Sequence, residues 1–179
     1  MEETEVQECY KAASAAAQLK LVPKKVFFTS GVGSHEDELV SFELALRDAG
    51  IERFNLVCVS SIYPPGCEVV CREDGLKELF PGQIVFCVMA RHTSNKAGEE
   101  IFASIGAAIP SDPAVHGYLT EYHGVIKNGD PGDHAEKMAA YMLKTAFGIE
   151  PAKTESITVR AKVERGKYTT VVAAAVFVL

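Results

Sequence analysis

No stretch of this chain is long and apolar enough to span a bilayer, so no membrane helix is expected. Basic residues are in short supply: 18 Lys and Arg stand against 24 Asp and Glu, for a formal net charge of −6. Affinity for phosphates comes mainly from Lys and Arg, so nucleic acid is a poor partner. A cationic small molecule suits an acidic field better. Cysteine is odd in number, at Cys9, Cys58, Cys67, Cys71 and Cys87, and the acidic start MEETEVQECY does not resemble an export signal. The expectation is a cytoplasmic protein with reduced thiols and no disulfide framework. Cys67 and Cys71 form a C-x-x-x-C pair, but no second Cys or His pair follows at finger or ribbon spacing, so no metal site is expected. The five histidines, His35, His92, His116, His123 and His134, lack metalloprotease spacing. A G-x-S-x-G elbow is missing too, which leaves a hydrolase triad without an anchor.

What is present is the material of one globular domain, 1–179, with 47% apolar and 23% charged residues. Apolar spacing predicts a helix over 4–20, ended by Pro23. A strand at 26–28 and a turn at Gly31-Val32-Gly33 follow, with Ser34 as a cap. Leu39, Phe42, Leu46 and Ala49 mark the apolar stripe of the next helix, which stops at Gly50. Further strands are read at 54–59, 83–90 and 117–122. The segment 101–109 fits strand or helix, with strand preferred. Asp133 and Glu136 suggest the capped start of a helix with a buried stripe of Ala135, Met138, Met142 and Ala146. The strands 156–163 and 168–178 read as a hairpin around Arg165-Gly166. The last of these is apolar on both faces and should lie centrally in its sheet. Strands outnumber helices without regular alternation, which points to an α+β layered sandwich.

Two sites can be weighed from residue chemistry alone. Gly31-Val32-Gly33-Ser34 sits between strand and helix, where a nucleotide phosphate can bind. It lacks the third glycine of a dinucleotide fingerprint and a Walker lysine, and Glu36, Asp37 and Glu38 would repel phosphate. A turn with an acidic cap is the better reading. Glu43 lies on or beside the apolar helix stripe. It is either a stripe-edge carboxylate reaching solvent or a partly buried anion for a cationic ligand such as a guanidinium.

The segment Asn55-Leu56-Val57-Cys58-Val59-Ser60-Ser61-Ile62-Tyr63-Pro64-Pro65-Gly66 reads locally as a buried strand ending in a polar turn. Together with LVSFELALRDAG at 39–50, the small-residue run ending Ala107-Ala108-Ile109-Pro110, and GYLTEYHG at 117–124, it closely resembles the pyruvoyl-dependent arginine decarboxylases. The resemblance covers most of the chain after Val26.

That resemblance implies a four-layer αββα sandwich with mainly antiparallel sheets. It also implies self-cleavage between Ser60 and Ser61, giving chains 1–60 and 61–179, with Ser61 becoming a covalent pyruvoyl cofactor. The substrate would be L-arginine, decarboxylated to agmatine through a Schiff base. Glu121 would be the proton donor and Asn55 would assist processing. Glu43, Leu39, Phe54 and Ile62 match substrate-binding positions. Position 43 is Asp in well-known members, so Glu43 leaves another basic amino acid open as substrate. The family is trimeric, and a homotrimer or a pair of trimers is expected. An uncleaved, non-catalytic binding protein of the same fold is the alternative from another class.

Spacing adds one constraint. Six extended residues separate Asn55 from Ser61 by roughly 20 Å. Either the chain reverses between them, or Asn55 serves the Ser61 of a neighbouring subunit, which is the preferred reading.

Overall fold

The computed structural model describes residues 21–127 and 129–179, so the helix expected over 4–20 lies outside the described residues. The strands are β1 (Lys25–His35), β2 (Asn55–Cys58), β3 (Ile62–Tyr63), β4 (Glu68–Val69), β5 (Ile84–Ser94), β6 (Glu100–Ile109), β7 (Gly117–Val125), β8 (Lys153–Lys162) and β9 (Tyr168–Val178). The helices are α1 (Glu38–Ala49), α2 (Arg72–Lys77) and α3 (Pro131–Phe147). One sheet has the order β2-β5-β9-β1-β4 and the other β3-β7-β6-β8. All pairings are antiparallel except β1 with β4 and β2 with β5.

The two sheets face each other across a shared core that includes Val88, Ala90, Val171 and Ala173 from one and Ile101, Ala103, Ile105 and Leu119 from the other. Helices α1 and α2 cover the outer side of the first sheet, and α3 covers the second. The expected αββα sandwich is therefore present. So is the central placement of the last strand, since β9 lies between β5 and β1 and is buried along almost its whole length.

Several local expectations are corrected. Gly31-Val32-Gly33 is not a turn but the middle of β1, with Gly31 opposite Val172 and Gly33 opposite Thr170 of β9. The glycines serve a close crossing by α1: a Cβ at Gly31 would stand 2.2 Å from the Ala45 carbonyl oxygen, and one at Gly33 2.2 Å from that of Ser41. At that approach only small residues fit beneath the helix. The buried face of α1 is accordingly Ser41, Ala45 and Ala49, while Leu39 is 74% exposed. Ser34 belongs to β1, and the cap of α1 is Asp37, whose side chain accepts from the Val40 N–H at 3.1 Å.

Helix α3 is likewise capped by Asp130 rather than Asp133, with Pro131 in its first turn. Its buried face is Pro131, Gly132, Ala135, Ala139 and Leu143, and Met138 is exposed. Finally, β8 and β9 do not form a hairpin. β8 pairs with β6 in the second sheet, and β9 crosses to the centre of the first. A strand apolar on both faces gains most between two covered layers, and the turn at Arg165-Gly166 carries it there.

Candidate active site

The chain also changes sheets at Ser60 and Ser61, between β2 and β3. β2 follows β5 as far as Val59, whose N–H donates to the Cys87 carbonyl at 3.0 Å. The next paired residues, Ile62 and Tyr63, belong to β3 at the edge of the other sheet, opposite Tyr118 and Gly117 of β7. The Ser60–Ser61 peptide is thus the bridge between two sheet edges.

Backbone groups hold that bridge. The Ser60 carbonyl accepts from the Ile62 N–H at 2.8 Å, closing a three-residue turn centred on Ser61. The Ser61 carbonyl accepts from the Leu119 N–H at 2.9 Å. Downstream, Tyr63 is buried and its hydroxyl donates to the Cys67 carbonyl at 2.6 Å; the Cys67 N–H in turn reaches the Pro64 carbonyl at 3.2 Å. Burial, followed by the nearby Cys67 thiol, pushes the Tyr63 phenol well above its ordinary range. Tyr63 therefore acts as a neutral anchor for the turn.

Two residues beyond Leu119 on β7, and so on the same face, stands Glu121. Its Oε2 accepts from the Ser61 hydroxyl at 3.4 Å. The fold thereby brings together a hydroxyl, a carboxylate and a peptide carbonyl already receiving an N–H. This is the equipment for moving an acyl group and a proton at one spot.

The other predicted residues lie elsewhere in the same subunit. Asn55 is at the far end of β2, where its Nδ2 donates to the Gly82 carbonyl at 2.7 Å and its N–H to the Gln83 carbonyl at 2.9 Å. β2 does not reverse between Asn55 and Val59. Phe54 is buried in the core under α1, with the Arg53 guanidinium 5.1 Å from its ring. Leu39 lines a shallow depression with Asp37, Glu38, Phe42, Arg91 and Thr93. Glu43, one turn further along α1, accepts from Arg47 at 2.8 Å and is partly exposed. Ile62 alone stays beside Ser61, on the wall of an apolar cavity of about 460 Å³ shared with Val59, Ser60, Pro64, Phe86 and Phe177.

Sequence reasoning missed two neighbours of this region. His123, two residues past Glu121 on the same face of β7, stands with its ring centroid 5.8 Å from that of His92 on β5. Burial, then the facing His123, holds the His92 imidazole below its ordinary value. The alternation of β7 alone would have put His123 on the Glu121 face, but nothing local pointed to His92. The second is Cys87, buried opposite Cys58; burial, followed by the Cys58 thiol, pushes it up to about 12. Among the described residues no group of three or more His, Cys, Asp or Glu is placed to hold a metal ion. No described helix is long and apolar enough to cross a membrane.

An α+β sandwich with a serine–carboxylate pair where the chain crosses between its sheets is the class defined so far. A family model described as pyruvoyl-dependent arginine decarboxylase matches residues 25–179. Pyruvoyl-dependent arginine decarboxylase 1 of Archaeoglobus fulgidus is 71% identical over 159 residues, 89% of this chain and 100% of its own length. Pyruvoyl-dependent arginine decarboxylase 2 of the same organism is 62% identical over 90% of this chain and 100% of its own. The enzyme named pyruvoyl-dependent arginine decarboxylase 1 in Methanosarcina acetivorans is 54% identical over 89% of this chain and 98% of its own. A solved pyruvoyl-dependent histidine decarboxylase overlaps more remotely, with a TM-score of 0.46 at 15% identity over 56% of this chain and 53% of its own. The chain belongs to the pyruvoyl-dependent arginine decarboxylase family.

Membership implies a covalent pyruvoyl group derived from a serine. The residues at the crossover fit such a group: the carbonyl preceding Ser61 takes an N–H, and Glu121 faces the Ser61 hydroxyl.

Proposed function

We propose that this chain cuts itself between Ser60 and Ser61 and then decarboxylates L-arginine to agmatine and carbon dioxide. The observation that carries the proposal is the Ser61 hydroxyl set 3.4 Å from Glu121 Oε2 at the sheet crossover.

Processing uses groups of the chain and one water molecule. The Ser61 oxygen attacks the Ser60 carbonyl carbon, and the peptide bond becomes an ester as the nitrogen departs. The Ile62 N–H, which already meets the Ser60 carbonyl oxygen at 2.8 Å, stabilises the negative charge that develops there. Loss of the Ser61 α-proton then expels the Ser60 carboxylate by β-elimination. The dehydroalanine left at position 61 takes up water and releases ammonia, leaving a pyruvoyl cap. Serine is required at 61 because its oxygen attacks and later departs with the acyl group; position 60 supplies only a carbonyl. The chain 1–60 stays in place because β1 pairs with β9 over its full length and β2 pairs with β5.

In turnover, the pyruvoyl carbonyl supplies the electron sink that pyridoxal phosphate supplies elsewhere. Glu121 returns a proton to the substrate carbon once carbon dioxide has left. Glu43 pairs with the substrate guanidinium, and Leu39 and Ile62 contact its aliphatic stem, while Phe54, buried in the core, backs the site rather than lining it. Leu39 and Glu43 lie on α1 and Asn55 is tied to Gly82 at the far end of β2, so the site is completed between subunits of a homotrimer, or of a pair of trimers, in the cytoplasm. The relatives' names support the reaction, and the unreversed course of β2 supports the sharing of the site. Comparing turnover of arginine, ornithine, lysine and histidine tests the substrate. Arginine as the fastest is expected, and arginine as the slowest overturns the assignment.

A further inference from the structure

Cys58 and Cys87 are register partners on neighbouring strands, β2 and β5, which run parallel. Register partners point their side chains to the same face, and neighbouring strands lie about 4.8 Å apart. That spacing falls inside the Cα separation of roughly 4.4–6.8 Å that a disulfide spans. Both are free thiols, Cys58 exposed and Cys87 buried. β2 is an edge strand held on one side only, so it can shift by the small amount a sulfur–sulfur bond requires. Of the other described thiols, Cys67 is buried beside the Tyr63 turn and Cys71 donates to Asp74 on α2. Cys58 also lies two residues before Ser60, on the amino side of the Ser60–Ser61 bond, and Cys87 lies on the carboxyl side.

We propose that Cys58 and Cys87 are a thiol pair oxidised by small-molecule disulfides, and that their cross-link ties β2 to β5 and so rejoins chains 1–60 and 61–179. The rejoining rests on the self-cleavage proposed above; the cross-link itself does not.

The exchange balances in two steps. The exposed Cys58 thiolate attacks one sulfur of the disulfide, forming a mixed disulfide and releasing one thiol. Cys87 then gives up its proton and attacks the Cys58 sulfur, releasing the second thiol. Two electrons pass from the protein to the reagent. Burial, followed by the Cys58 thiol, keeps Cys87 protonated, so the first step belongs to Cys58 and the second is slow. Only strands already in register give Cys87 access to a Cys58 mixed disulfide.

The test treats the purified protein with glutathione disulfide, then applies intact mass, non-reducing electrophoresis and peptide mapping. Expected are the loss of two hydrogens, a linked peptide joining position 58 to position 87, and one non-reducing band that dithiothreitol separates into the two chains. Cys58→Ser and Cys87→Ser should each abolish the linked peptide, and Cys71→Ser should leave it. If the chain proves uncut, the linked peptide and the mass change still decide the cross-link. Glutathione retained on Cys58 without a linked peptide, linkage through a different cysteine, or no reaction would each overturn it.

Discussion

Ser61 Oγ lies 3.4 Å from Glu121 Oε2, although 60 residues separate them along the chain. The contact exists because the chain leaves one sheet at Val59 and enters the other at Ile62, on the strand edge beside β7. At the crossover the Ser60 carbonyl accepts from the Ile62 N–H, the Ser61 carbonyl accepts from the Leu119 N–H, and the Ser61 hydroxyl is left to face Glu121.

Glu121→Gln keeps the size and the hydrogen-bonding of the side chain and removes its acidity. In protein that has cleaved, kcat for arginine should fall about a hundred- to ten-thousand-fold with KM little changed. Steady-state kinetics on the cleaved fraction checks this, and an unaltered kcat would remove Glu121 from the chemistry.

Asn55 is tied to Gly82 at the far end of β2. Asn55→Ala should block cleavage, and so should Ser61→Ala, each alone. When the two variants are co-expressed with distinguishable tags, Asn55→Ala chains should cleave, because an intact Asn55 arrives from the neighbour. No cleavage of either chain in the mixed oligomer would show that the residue acts within its own subunit.

Glu43 already holds one guanidinium, that of Arg47, at 2.8 Å. Replacing it by Gln should leave cleavage intact and raise the KM for arginine by an amount equivalent to about 1.5–3 kcal/mol, the worth of a charged hydrogen bond. Arg47→Gln frees the carboxylate from an exposed helical pair, which is weak in water, so KM should drop only slightly. A KM insensitive to Glu43→Gln would place the guanidinium elsewhere.

His92 gives a pH dependence whose sign follows from its surroundings. Burial and then His123 hold its imidazole below the ordinary value of 6.5, with Glu99 pulling weakly the other way. In the unfolded chain His92 takes up a proton as pH falls through 6.5, while the folded protein resists it. Stability is therefore fully present above that value and is lost on acidification, levelling off below the folded-state value. Urea midpoints measured from neutral pH downward should fall less steeply in His92→Gln than in the parent. Identical slopes would mean that His92 is not part of the acid response.

How much of this was legible beforehand varies with the distance over which each feature is decided. The strand near 54–59, the break at Pro64-Pro65 and the central terminal strand are local patterns and are found, but β2 is no buried strand: it lies at the sheet edge with Asn55, Val57 and Cys58 exposed, because apolar residues alone do not say which strand is covered on both sides. Gly31 and Gly33 read as a turn because glycine is a local turn signal, yet their cause is α1 passing 2.2 Å from where a Cβ would be. The same crossing moved the buried face of α1 from Leu39 and Phe42 to Ser41 and Ala45. A turn at Arg165-Gly166 says that the chain bends, not which sheet it enters. In the site, Ser61 and Glu121 were found through the resemblance of NLVCVSSIYPP and GYLTEYHG, and their meeting is a property of the fold. The pairs His92 with His123 and Cys58 with Cys87 depend on register and layer packing, for which no single segment carries a signal.

Self-cleavage at Ser60–Ser61 is the claim on which the rest depends, and the intact mass of the purified protein tests it most directly. Two chains are predicted, 1–60 and 61–179, the larger with no free amino terminus and with a carbonyl that borohydride reduces; Ser60→Ala should still give them and Ser61→Ala should not. A single uncut chain of 179 residues that carries no reducible carbonyl would contradict the account.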